Sequence, residues 1–194
     1  MSKQIDTKRN LRHITEQDKN KSQSFDQCYT PPYAIEPLYP YLNKSSIIWE
    51  SACGKNHIVN ELKNNGYYVV GTDITTGHNF FRYEPPAWNI QITNCPYSVK
   101  LDWLERSYQL DKPFALLMPV EVLGVGKAQK LFEYYGVEVI LLNKRVDFQT
   151  INTSFSKSTA WFPTAWFTWK LGIGQQLSFA KIIKRANEQM AMMI

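Results

Sequence analysis

Residues 47–50, Ile47-Ile48-Trp49-Glu50, run through Ser51-Ala52-Cys53-Gly54-Lys55-Asn56 into His57-Ile58-Val59-Asn60-Glu61-Leu62, and reach Gly66-Tyr67-Tyr68-Val69-Val70-Gly71. Ile47-Ile48-Trp49 is a short apolar run of the kind that forms a buried strand, while Ile58, Val59 and Leu62 sit at helical spacing. Gly66 stands where a helix stops, and Tyr67 to Gly71 is a second β-rich run. Strand, helix, strand with short connections is the unit from which parallel sheets are built.

The same alternation continues outward. Residues 75–88 are rich in Gly, Pro and aromatic residues and read as a loop. Ile90 and Ile92 mark a third strand, Leu101 to Leu110 a helix, Phe114 to Met118 a strand, Lys127 to Tyr135 a helix and Val137 to Leu142 a strand. This pattern predicts a mostly parallel sheet with helices on both faces. Phe162 to Trp169 is aromatic and has no helix before it, so it is expected to pair antiparallel at one end of the sheet. A basic helix is expected from Ser178 to Met193. Toward the amino end, Tyr29-Thr30-Pro31-Pro32 predicts an extended or turning segment, because proline disfavours helix in its predecessor. Ala34 to Leu42 reads as a short helix interrupted by Pro37 and Pro40.

Composition fits one folded domain. The chain has 194 residues, 44% of them hydrophobic, 20% charged and 14% aromatic. That balance excludes wholesale disorder, and no apolar run is long enough for a membrane span. Residues 1–27 lack periodicity and form the expected flexible basic arm; residues 28–194 are expected to be a single domain. Of a net charge of +5, most sits in the arm: within residues 1–25, six basic side chains (Lys3, Lys8, Arg9, Arg12, Lys19 and Lys21) face three acids. Such an arm suits a polyanion or is simply a solvated terminus. The polar start Met1 to Asp6 does not read as a secretory signal. Three cysteines, Cys28, Cys53 and Cys95, do not make a disulfide scaffold. A cytoplasmic location is expected.

In open α/β sheets, ligands bind beyond the carboxyl ends of the strands. Three such ends carry polar residues here. Glu50-Ser51-Ala52-Cys53-Gly54 links strand to helix, where small residues let backbone approach a ligand; an empty tight turn is the plain alternative. Asp73, with Ile74 after it, lies 23 residues beyond Glu50, near the spacing at which an acid accepts hydrogen bonds from a ribose. A capping aspartate is its plain alternative. The third end is Asn94-Cys95-Pro96-Tyr97.

Asn94-Cys95-Pro96-Tyr97 resembles the Asn-Pro-Pro-Tyr motif of amino-group methyltransferases, with cysteine in place of the first proline. Beside it, Glu50 to Gly54 resembles the S-adenosyl-L-methionine loop of those enzymes. Tyr29, Thr30 and Pro31 resemble the segment that closes over the cofactor. Asn79 and Phe80 stand where an acid and an aromatic often flank its adenine. The order of motifs is similar to the gamma group of DNA adenine-N6 methyltransferases, particularly the short, phage-type versions, and covers Tyr29 to Phe167. The resemblance implies a class I, Rossmann-like methyltransferase fold, S-adenosyl-L-methionine as cofactor and DNA as partner, in bacterial or phage-infected host cytosol.

The chemistry explains why such residues recur. The lone pair of adenine N6 is delocalised into the ring, and two acceptors aimed at its hydrogens favour a tetrahedral nitrogen. By resemblance, Asn94 supplies one acceptor through its side chain and residue 95 the other through its backbone carbonyl. Pro96 holds the turn, and Tyr97 stacks on the extruded base. The reaction requires neither a metal nor a covalent enzyme intermediate.

Two departures stand out: Asn56 replaces a second loop glycine, and Cys95 replaces proline. They keep open a non-catalytic nucleic-acid-binding protein on the same scaffold. The motif also leaves open RNA bases, cytosine N4 and a protein glutamine as acceptors. His13, His57 and His78 are scattered, and the cysteines match no zinc spacing. Glu121 reads as a surface carboxylate. Arg145 suits a phosphate, Phe155, Trp161 or Phe162 suit stacking on bases, and Lys181, Lys184 and Arg185 suit a DNA backbone; packing and solvated surface are the plain alternatives.

Overall fold

The computed structural model describes residues 28–150 and 162–183. Nine strands and three α-helices follow in chain order. They are β1 (Cys28–Tyr29), β2 (Ile47–Glu50), α1 (His57–Asn64), β3 (Tyr68–Gly71), β4 (Ile90–Thr93), α2 (Lys100–Gln109), β5 (Phe114–Pro119), α3 (Gly126–Tyr135), β6 (Glu138–Leu142), β7 (Gln149–Thr150), β8 (Thr164–Trp169) and β9 (Leu177–Ala180). Seven strands form one sheet in the order β3-β2-β4-β5-β8-β6-β9, and β1 and β7 pair separately. The strands from β3 to β5 are mutually parallel, β8 runs antiparallel to both β5 and β6, and β9 lies parallel to β6. This is a Rossmann-like α/β fold.

Each face of the sheet has its own core. On one face Ile58 and Leu62 of α1 join Tyr33, Leu38, Ile92 and Trp166. On the other, Trp103 and Leu104 of α2 and Ala128 of α3 pack with Trp49, Phe114 and Phe167. Phe80 stacks on Trp103 at 4.1 Å, a contact worth about 0.5–1.5 kcal/mol beyond its buried area. Helix α1 ends as its glycine requires: Gly66 has φ of 77°, and the amides of Gly66 and Tyr67 close onto Lys63 and Leu62 carbonyls.

Three expectations change. The aromatic segment Phe162 to Trp169 does supply the antiparallel strand, but not at the end of the sheet. Instead, β8 is inserted between β5 and β6, and β9 takes the edge. Ser178 to Ala180 is strand, not the start of a helix, because β6 would otherwise be an open edge and Leu142 pairs with Ala180; residues 184–194 lie outside the described set. Ala34 to Leu42 is two 3₁₀ segments, Pro32–Ala34 and Glu36–Tyr41. Pro37 and Pro40 lack the amides that an α-helix needs. The segment is nonetheless anchored, since the Trp166 indole donates to the Ala34 carbonyl at 2.7 Å. The basic arm, residues 1–27, lies outside the described residues.

Helix α1 can lie close to β3 because residue 71 has no side chain. A Cβ on Gly71 would stand 2.8 Å from Val59 Cγ2 and 3.2 Å from Cys53 Cβ. Gly71→Ala is expected to destabilise the fold by about 1–3 kcal/mol through overpacking. A lower urea midpoint with an unchanged slope is the expected reading.

Candidate active site

Sheet order decides which loops meet. Strand β2 lies between β3 and β4 and parallel to both, so their carboxyl ends bring Glu50 to Gly54, Asp73 and Asn94 to Tyr97 to one edge. The first two are tied directly. Asp73 Oδ2 accepts from the Gly54 amide at 3.0 Å, while its Oδ1 accepts from the Thr75 amide and hydroxyl at 2.9 and 2.7 Å. Asp73 therefore also caps the turn Ile74–Thr76. Its carboxylate retains lone pairs for a ligand. Ile74, next to it, is 49% exposed, an apolar surface held beside the acid.

The loop after β2 is built on left-handed backbone. Gly54 has φ of 45° and Asn56 φ of 66°, so asparagine here occupies the conformation for which glycine is usual. The Cys53 amide donates to the Thr72 carbonyl and the Thr72 amide to the Glu50 carbonyl. Gln91 Nε2 donates to Ser51 Oγ at 2.8 Å, tying β4 to the same loop.

Glu50 is 1% exposed, and its Oε1 accepts from the Ala52 amide at 3.0 Å. Burial pushes its carboxyl up to about 8, with the nearby Asp73 charge adding to the effect. Burial likewise pushes the Cys53 thiol up to about 11, which makes it a poor nucleophile. Cys95 is buried.

Other expected residues divide. Tyr29 lies against the amino end of α1, its ring 4.5 Å from His57 and 5.2 Å below Lys55 Nζ. Thr30 is buried, and among the described residues its hydroxyl finds no partner. Pro31 is extended, with φ of −71° and ψ of 152°. Asn79 Oδ1 accepts from the Phe81 amide at 2.9 Å, shaping the loop, and Phe80 is 2% exposed within the aromatic core. Pro96 has φ of −56°. Tyr97 meets Phe148 at 6.4 Å and Phe162 at 5.7 Å, edge-on in both cases. Glu121 is an exposed carboxylate 3.6 Å from Lys100, and Arg145 and Lys181 are exposed. Phe155, Trp161, Lys184 and Arg185 fall outside the described residues.

Thr72 and Gln91 were not singled out from sequence. Thr72 Oγ1 accepts from the Trp49 indole at 2.7 Å. Gln91 carried a readable signal, a polar residue between Ile90 and Ile92 of an otherwise buried strand. Among the described residues, no three His, Cys, Asp or Glu side chains converge to hold a metal, and no helix is long and apolar enough to cross a membrane.

No protein-family model matches the chain, and no curated protein matches its sequence significantly. Its structure is similar to a crystal structure described as a modification subunit of a type I restriction enzyme from Vibrio vulnificus YJ016. The TM-score is 0.52 at 9% identity, over 88% of this chain and 50% of that one. The chain thus spans half the length of that subunit. The likeness shows a shared fold, the Rossmann-like fold of a modification subunit.

The buried carboxyl of Glu50 gives a pH test. The folded state holds its proton more tightly than the unfolded chain, whose value is near the ordinary 4.5, while the folded value is about 8. Its contribution to stability is therefore fully present below about pH 4.5 and is lost as pH rises to about 8. Glu50→Gln is expected to raise Tm at pH 8 and to leave it unchanged at pH 4 and below. Thermal denaturation across that range checks this, and a pH-independent difference would exclude burial as the cause.

Proposed function

We propose that this protein is an S-adenosyl-L-methionine-dependent methyltransferase that modifies the N6 amino group of adenine in DNA. The observation that carries the reading is the meeting of three polar strand ends, Glu50 to Gly54, Asp73 and Asn94 to Tyr97, at one edge of a Rossmann-like sheet. The Asn-x-Pro-Tyr sequence gives that edge a specific chemistry. The structural neighbour is named a modification subunit of a restriction enzyme, which agrees with DNA as acceptor.

The residues present fit the cofactor. Two carboxyl groups suit a ligand that carries a positive sulfonium, an ammonium and ribose hydroxyls: Asp73 accepts from the hydroxyls, and a cation beside Glu50 would draw its buried carboxyl, raised to about 8, back toward ionisation. Thr30 offers a buried hydroxyl that no described residue satisfies, and Ile74 offers an exposed apolar surface beside Asp73. Asp73 would take ribose hydroxyls, Ile74 and the loop of Asn79 and Phe80 would border the adenine, and Tyr29 to Pro31 with Glu50 to Gly54 would hold the remainder. When bound, S-adenosyl-L-methionine supplies an electrophilic methyl group. Phe80 itself packs inside the core, so its part is to hold the loop from beneath.

On the acceptor side, Asn94 Oδ1 and the Cys95 carbonyl take the two amino hydrogens and leave the nitrogen lone pair free to react. The exchange of proline for cysteine keeps the carbonyl, and Pro96 still fixes the turn with φ of −56°. Tyr97 stacks on the extruded base, a contact worth about 1–3 kcal/mol. Asn56 keeps the loop conformation that its replacement of glycine put in question.

The deciding experiment is transfer of radiolabelled methyl from S-adenosyl-L-methionine to unmethylated duplex DNA, digested to nucleosides. Label in N6-methyladenine nucleoside is expected. Label absent from DNA but found in RNA or protein would change the acceptor, and neither transfer nor cofactor binding would favour a non-catalytic scaffold. Asn94→Ala is expected to lower transfer by roughly 100-fold or more while calorimetry shows cofactor binding within about twofold. Asp73→Ala is expected to weaken cofactor binding about tenfold, measured on protein that circular dichroism shows to be folded.

A further inference from the structure

Strands β2, β3 and β4 furnish the site described so far, yet β8 delivers its own first residue to the same edge of the sheet. Thr164 opens β8 and pairs with Pro119, the last residue of β5. The Val120 amide donates to the Pro163 carbonyl at 3.0 Å and fixes that corner. Alternation along the strand puts Thr164 on the face of Trp166, away from Ala165 and Phe167. On that face Trp166 belongs to the same cluster as Phe148. Phe148 meets Tyr97 edge-on, as does Phe162, two residues before Thr164. Thr164 therefore stands at the same sheet edge as Tyr97, on the face whose core includes Phe148.

Thr164 is 1% exposed, and among the described residues its hydroxyl has no hydrogen-bond partner. A buried hydroxyl left unsatisfied is costly, and a valine of the same shape would avoid that cost. The hydroxyl therefore calls for a partner that the described residues do not supply.

We propose that Thr164 is a specificity-determining contact for the acceptor, donating a hydrogen bond to a ring nitrogen of a planar, amino-bearing heterocycle. The inference rests on the methyl-transfer reading above and deepens it. Asn94 Oδ1 and the Cys95 carbonyl are acceptors and engage the amine, whereas ring nitrogens are themselves acceptors and need a donor. A protein amide has no such nitrogen, so this contact selects a nucleobase over a glutamine side chain.

The test compares the parent chain with Thr164→Val and Thr164→Ser. Thermal denaturation is run beside steady-state methyl transfer to unmethylated duplex oligonucleotides. Thr164→Val is expected to keep or raise Tm while raising KM for the oligonucleotide roughly three- to tenfold, with kcat within about twofold. Thr164→Ser, which keeps the hydroxyl, is expected to restore the parent KM. Of 1-, 3- and 7-deazaadenine at the target, the one that lacks the contacted nitrogen is expected to cost the parent a similar factor and Thr164→Val none, because the two changes remove one bond, and loss with none of the three overturns the contact. If the parent transfers methyl groups but Thr164→Val leaves KM unchanged, or lowers Tm by several degrees, the contact is overturned and the methyl-transfer reading stands. If the parent transfers nothing to DNA, the reading falls and the contact with it.

Discussion

The carboxylate of Asp73 accepts hydrogen bonds from the Gly54 amide and from both the amide and the hydroxyl of Thr75, and the geometry of the candidate site follows from this. The first bond draws the loop after β2 against the end of β3. The other two turn the chain sharply after β3. Because β3 carries no side chain at residue 71, helix α1 can settle against it, and the loop that precedes the helix is confined between them. Left-handed backbone at Gly54 and Asn56 lets six residues cover that short distance.

Around this clamp the site is asymmetric in charge. Glu50 and Asp73 lie within Coulombic reach of one another, and the positive groups nearby, Lys55 over the Tyr29 ring and His57 beside it, stand at the outer side of the loop. Burial and Lys55 both push the His57 imidazole below its ordinary value, so it adds little positive charge there. An anion gains little at this edge, contrary to the usual preference of a helix amino terminus, and a positive charge there would draw the buried Glu50 carboxyl back toward ionisation.

Much of this was legible in the sequence where local chemistry decides. Ile47 to Trp49, Ile58 to Leu62 and Tyr67 to Gly71 announced the first parallel unit, and the polar residues following the strands fall along one edge of it. What was not legible depends on contacts distant in sequence. Ser178 to Ala180 reads as the start of a basic helix until Leu142 is placed beside it. Phe162 to Trp169 reads as a terminal strand because nothing local reveals that β5 and β6 stand one strand apart, waiting to be joined. Phe80 reads as a cofactor neighbour because its stacking on Trp103 is a tertiary fact. Thr164 gave no sequence signal at all, since a threonine in a strand is ordinary.

The insertion of β8 between β5 and β6 also orders events in time. Every residue of β5 is buried, and its partner on one side is made by residues 164–169, about 50 positions later than residues 114–119. During synthesis, β5 and β6 are both finished before the strand that joins them exists. For that interval two apolar strands face each other across a gap one strand wide, each with an unpaired edge. The seam between β5 and β6 is thus closed late, with the edge strand β9 still to follow, and the aromatic segment that closes it also brings Phe162 against Tyr97. The contact between Phe162 and Tyr97 is in this way coupled to closure of that seam.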